Sequence, residues 1–139
     1  MSVDVETFSP PIVCLCGSTK FKQAFEEAAE RETCAGRIVL SVGFFAGAMT
    51  DAERRSKLTP TLKQQLDELH LRKIDLADEV LVLNVNYYLG LSTRREVWYA
   101  RQKQKVIRWF MPHETDPEVL SFFHSWDDWR AAADEAARG

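Results

Sequence analysis

No apolar run in this chain approaches the roughly 18 residues that a membrane span needs. No signal peptide opens it either, so the expectation is a cytoplasmic protein with no membrane partner. Charge of one sign is not in excess. A net charge of −3 supplies no broad basic field, which argues against polymeric nucleic acid as a partner. Cysteine is scarce and odd in number, with Cys14, Cys16 and Cys34. Cys14 and Cys16 lie two apart on a predicted strand and are expected to face opposite ways. On that reading neither a disulfide framework nor a zinc site fits, and all three act as small buried hydrophobes. No metal and no cofactor is expected. Repeats and low-complexity segments are absent. So are two phosphate-binding signatures, G-x-x-x-x-G-K-[ST] and G-x-G-x-x-G.

What is present fits one domain. The 139 residues, 45% hydrophobic and 28% charged, suffice for one core and are too few for two. Residues 12–16 (IVCLC) form a continuous apolar run, as in a parallel strand buried on both faces. Residues 21–33 carry Phe21, Ala24, Phe25 and Ala28 at helical spacing. A second strand is predicted at 37–42. Residues 48–59 lack periodicity and read as a loop or lid, or as holding a short helix at 51–57. Thr59-Pro60 is an N-cap followed by proline at the first helical position, opening a helix to about residue 76. A third strand follows at 80–84, a helix at about 92–104 and a fourth strand at 106–110. Short helices are expected at 116–123 and 128–137. The βαβαβαβ order predicts a Rossmann-like (flavodoxin-like) open parallel α/β sheet of four to five strands, with helices on both faces. The core spans about 12–110, and a helical tail covers 111–139.

The stretch LADEVLVLNVNYYLGLSTRREVWYA organises the rest. It delivers Glu96 at the carboxyl end of a strand, where open α/β folds place their chemistry. The plainer alternative is a first-turn carboxylate answering the helix dipole. Three further elements fall on the same side. Gly17, Ser18, Thr19 and Lys20 follow the first strand and suit one small phosphate at a helix N-terminus, or simply cap that helix. Phe44 and Phe45, between glycines after the second strand, suit stacking on a planar base or a place in the core. Asn84, Tyr87, Tyr88, Gly90 and Ser92 offer contacts to a sugar or base edge. His70 lies apart, on the second long helix.

With ADEVLVLN…GLSTRREVWYA and CGSTKF together, the chain resembles the nucleoside 2-deoxyribosyltransferase superfamily over about residues 12–110. It is most similar there to the nucleoside 5'-monophosphate N-glycosidases and related uncharacterised bacterial and phage proteins. The resemblance implies a homodimer or larger oligomer and cleavage of an N-glycosidic bond. It also implies Glu96 as nucleophile and Gly17, Ser18, Thr19 and Lys20 as the phosphate loop. Two positions depart from the pattern. The family's Asp eight residues before the Asp matching Asp78 is His70 here. The Tyr that the monophosphate hydrolases carry three residues before the loop glycine is Cys14. A neutral His bonds a hydroxyl; a charged one pairs with Glu96 and lowers its pKa.

The leading expectation is hydrolysis of a (deoxy)nucleoside 5'-monophosphate by Glu96. His70 would orient groups or relay a proton, and Phe44, Phe45, Asn84, Tyr88, Gly90 and Ser92 would contact base and sugar. Base exchange is the transferase variant. A nucleotide-sensing module without catalysis is the second reading. An interaction protein using Phe122, Phe123, Trp126 and Trp129 is the third.

Overall fold

The computed structural model describes residues 9–111, so the predicted tail helices and their aromatics lie outside the described residues. Four strands form one parallel sheet in the order β2-β1-β3-β4. Strand β1 is Ile12–Gly17, β2 is Ile38–Leu40, β3 is Glu79–Leu83 and β4 is Val106–Trp109. Helix α1 is Lys22–Cys34, α2 is Asp51–Lys57, α3 is Pro60–Leu76 and α4 is Leu91–Gln102. The predicted open α/β sheet is therefore the observed one. Among the described residues no helix is long and apolar enough to cross a membrane.

Side chains alternate along each strand, so the sheet buries two different faces. Val13, Leu15, Leu81 and Leu83 pack under Phe25 and Ala28 of α1. Cys14, Cys16, Val80 and Val82 pack under Leu71 and Ile74 of α3 and under Val97 and Ala100 of α4. Each Val, Leu, Ile or Phe so buried contributes about 1.5–3 kcal/mol before entropy is counted. The strand period corrects one expectation. Residues 14 and 16 are separated by a full period, so both thiols turn to the α3/α4 face. Cys34 corrects another: it ends α1 and is exposed.

Two segments resolve ambiguities in the chain. Residues 51–57 are helical without burying any residue. Their stability comes from a capping box, in which the Thr50 hydroxyl accepts the Glu53 N–H (3.2 Å) and Glu53 accepts the Thr50 N–H (3.2 Å). Helix α3 begins as expected, with Thr59 Oγ1 accepting the Leu62 N–H at 3.1 Å ahead of Pro60.

Winding reverses at β1: α1 leads outward to β2 on one face, and α3 returns across β1 to β3 on the other. The change of face with the change of direction keeps the crossovers one-handed. The crevice of such a sheet opens between β1 and β3, at their carboxyl ends. There Gly17 pairs with Leu83. A Cβ on Gly17 would lie 3.1 Å from Leu83 Cβ and 3.4 Å from the Phe25 ring, so close strand and helix packing explains this glycine.

Candidate functional site

Four buried side chains from three elements meet beneath this crevice. Cys14 and Cys16 come from β1, His70 from α3 and Glu96 from α4. His70 Nε2 lies 3.6 Å from Cys14 Sγ, 3.4 Å from Cys16 Sγ and 3.7 Å from Glu96 Oε2. His70 is 7% exposed and Glu96 8%, while both cysteines are fully buried. Helix α4 starts at Leu91 behind Gly90, which makes Glu96 its sixth residue. That position is past the free first-turn amides, so dipole stabilisation of a first-turn carboxylate does not account for it. Tertiary packing sets it instead. Asp67 ties α3 to α4 through Arg95 (3.6 Å), and Lys73 Nζ donates to the Ser41 carbonyl (2.7 Å), pinning α3 to the end of β2.

The electrostatics follow from burial and crowding. Burial pushes the Glu96 carboxyl up to about 7, although the positive charge of His70 pulls the other way. Burial works to lower His70, but the Glu96 charge and Cys14 outweigh it and raise the imidazole to about 9. The hydrogen bond from Cys16 holds Cys14 down at about 5 against burial, with help from His70. Burial, and then Cys14 itself, push the Cys16 thiol well up. One imidazole nitrogen carries either a hydrogen or a lone pair, so it satisfies only one of its three neighbours at a time.

The loops over the crevice touch one another. Thr19 Oγ1 accepts the Gly47 N–H at 2.9 Å, and a Cβ on Gly47 would stand 2.6 Å from the Lys20 nitrogen. The loops after β1 and β2 are thus in direct contact. Lys20 Nζ sits 3.6 Å from the centre of the Tyr88 ring, and Phe21 meets that ring edge-on at 6.0 Å. Asn86 (φ 53°) and Tyr87 (φ 62°) are consecutive left-handed residues ahead of Tyr88. Such strain costs about 1–3 kcal/mol per residue and concentrates at functional sites.

The expected contact residues divide. Ser18 and Thr19 do not cap α1, whose N-cap is Phe21 without a side-chain bond. Phe45 turns inward, 5.4 Å from the Phe25 ring, into the α1-side core, while Phe44 stays half-buried in the loop. Asn84 is buried and clasps Met111, accepting its N–H at 2.8 Å and donating to its carbonyl at 3.3 Å. Gly90 is the α4 N-cap, and Ser92 is the second residue of that helix. Tyr88 remains 45% exposed. The partnership of Cys14 and Cys16 with His70 was missed from sequence, though the strand period alone places both thiols on one face. An open surface depression of about 410 Å³ lies elsewhere, on the side of α3 turned away from His70, between Thr61 and Arg72.

No family model, no curated protein and no solved structure matches this chain.

Proposed function

We propose that the protein hydrolyses the N-glycosidic bond of a (deoxy)nucleoside 5'-monophosphate in the cytoplasm, with Glu96 as nucleophile. The observation that carries this reading is the pairing of a buried Glu96 with His70 at 3.7 Å, at the carboxyl side of β1 and β3. Glycosidic cleavage passes through an oxocarbenium-like state, which a carboxylate both stabilises and traps. The carboxylate oxygen bonds to C1' as the C1'–N bond breaks, and the departing base takes a proton from the His70 imidazolium. Water then attacks C1', gives its proton back to His70, and releases the sugar phosphate and free Glu96. A second base in place of water gives exchange.

Several neighbours support the substrate class. The backbone after Gly17 and the uncapped first turn of α1 offer N–H donors to a phosphate. Lys20 adds a charge beside the exposed Tyr88 ring. A homodimer belongs to the same proposal and is checked by mass in solution. A second reading, nucleotide binding without turnover, is favoured by the thiols that crowd His70 where a free proton relay would want room.

The experiment is incubation with a panel of ribo- and deoxynucleoside monophosphates, following free base by chromatography. Release of one base, lost in Glu96→Ala, is the expected result. Equal release by Glu96→Ala sinks the mechanism, and nucleotide that raises the melting temperature but is never cleaved selects the binding module.

A further inference from the structure

We infer that Cys14, Cys16 and His70 form a three-ligand binding site for a thiophilic divalent ion of the zinc class. The two Sγ atoms and a ring nitrogen of His70 all lie within 4.8 Å of one another. A tetrahedral zinc ion, with Zn–S of about 2.3 Å and Zn–N of about 2.0–2.1 Å, spaces sulfur and nitrogen ligands about 3.5 Å apart. The separations here are 3.6 Å and 3.4 Å from the two sulfurs to one Nε2. Glu96 Oε2 lies 3.7 Å from that nitrogen but outside the group of three donors.

Both sulfurs converge on a single Nε2, and an ion between these three atoms would engage all of them together. The donor set of two sulfurs and one imidazole suits zinc rather than magnesium or calcium, which take oxygen ligands. Rigid elements hold the donors. The thiols share a face of the central strand β1, and α3 and α4 are fixed across from them by the Asp67–Arg95 pair. Three protein ligands leave one exchangeable position, the form of a zinc site open to water.

The assignment goes beyond the glycosidase reading and does not depend on it. Where His70 relays a proton in that reading, an ion held on its Nε2 would stop turnover. The test therefore reads the ion itself. Reduced, chelator-stripped protein is titrated with Co²⁺ under argon. The expected result is one ion per chain, thiolate-to-cobalt charge-transfer absorption and tetrahedral visible bands, displaced by one equivalent of Zn²⁺. His70→Gln should weaken binding by at least about 100-fold, since losing even an outer-shell partner of a ligand costs about 10–100-fold. Cys34→Ser, exposed and outside the cluster, should leave the spectrum unchanged. No charge-transfer band at saturating Co²⁺, or a band that persists in the Cys14→Ser/Cys16→Ser double variant, overturns the assignment. Should that double variant fail to fold, the wild-type titration decides alone.

Discussion

Opposite faces of one sheet each carry a polar cluster, and the two are built on different terms. On the α1 face, Glu32 and Glu79 meet Arg37 and Arg108. Arg108 donates to both carboxylates, at 2.7 Å to Glu79, and Arg37 Nε stands 2.9 Å from Glu79. Arg31 adds a further contact to Glu32 at 3.8 Å. Opposite charges pair there, three guanidiniums with two carboxylates, and guanidinium forks suit carboxylates geometrically, although Arg108 Nε is left without a hydrogen bond. On the α3/α4 face, one imidazole nitrogen is shared among a carboxylate and two thiols. The first cluster is held by opposite charges. In the second, three neighbours contest one nitrogen.

The comparison breaks most readily with paired substitutions. Glu96→Gln should lower nucleotide turnover by on the order of 10⁴-fold, the scale of losing a nucleophile, while shifting stability by less than about 1 kcal/mol. Glu32→Gln should do the reverse, costing about 1–3 kcal/mol through the lost charge that Arg108 and Arg37 share with it, with turnover intact. Base-release assays and urea midpoints on both variants check this, and a Glu32→Gln protein that folds normally but is inactive would erase the distinction.

pH offers a subtler contrast. Burial opposes the charge on Glu32, but Arg108, Arg37 and Arg31 outweigh it and hold the carboxyl below its ordinary value of 4.5. A depressed carboxyl stabilises the fold above its unfolded pKa, and the contribution is lost as pH falls through the folded one. Across the sheet, Glu96 and His70 hold protons more tightly when folded, so their contributions fall as pH rises toward about 7 and about 9. Cys14, held at about 5, runs in the opposite sense and offsets them. Metal-free protein should therefore show an acid limb and a nearly level course between pH 5 and 9. Cys14→Ala removes the offset, and its melting temperature should decline with rising pH across that range. A level profile in Cys14→Ala, measured with chelator present, would count against the cluster's electrostatics. The smallest effect belongs to Cys34→Ser, within about 0.5 kcal/mol of wild type by urea unfolding.

Much of this fold was legible in the chain. The apolar runs beginning at Ile12 and Val80 are the central strands, and Thr59-Pro60 marks a real helix start. The short helix at Asp51–Lys57 was ambiguous because it buries nothing, so no hydrophobic stripe announces it. Strand β2 is shorter than the expected 37–42: the Arg37 N–H goes to the Glu32 carbonyl (3.1 Å), and the Ser41 carbonyl accepts from Lys73. Of the site, Glu96 was readable from its place after β3, and the adjacency of the loops from their common side. The pairing of His70 with Glu96 depends on α3 packing beside α4, which no local pattern encodes. Phe45 was ambiguous for the same reason, because a half-buried aromatic reads alike whether it faces a ligand or a helix. The two thiols were within reach of sequence reasoning, since strand periodicity alone puts them together.

The Glu32–Arg108 tie has a kinetic consequence. It joins α1 to the last strand of the sheet across 76 residues of chain. Contacts that close long loops bear a larger entropic cost and form after the local ones. Among the described residues Arg108 lies on an edge strand, which docks only once β3 is in place beside it. The tie should therefore be absent when the folding barrier is crossed. In Glu32→Gln the unfolding limb of the chevron should rise while the refolding limb stays with wild type; a slowed refolding limb would place this contact in the nucleus instead. The arginine–carboxylate cluster would then govern how long each folded molecule lasts.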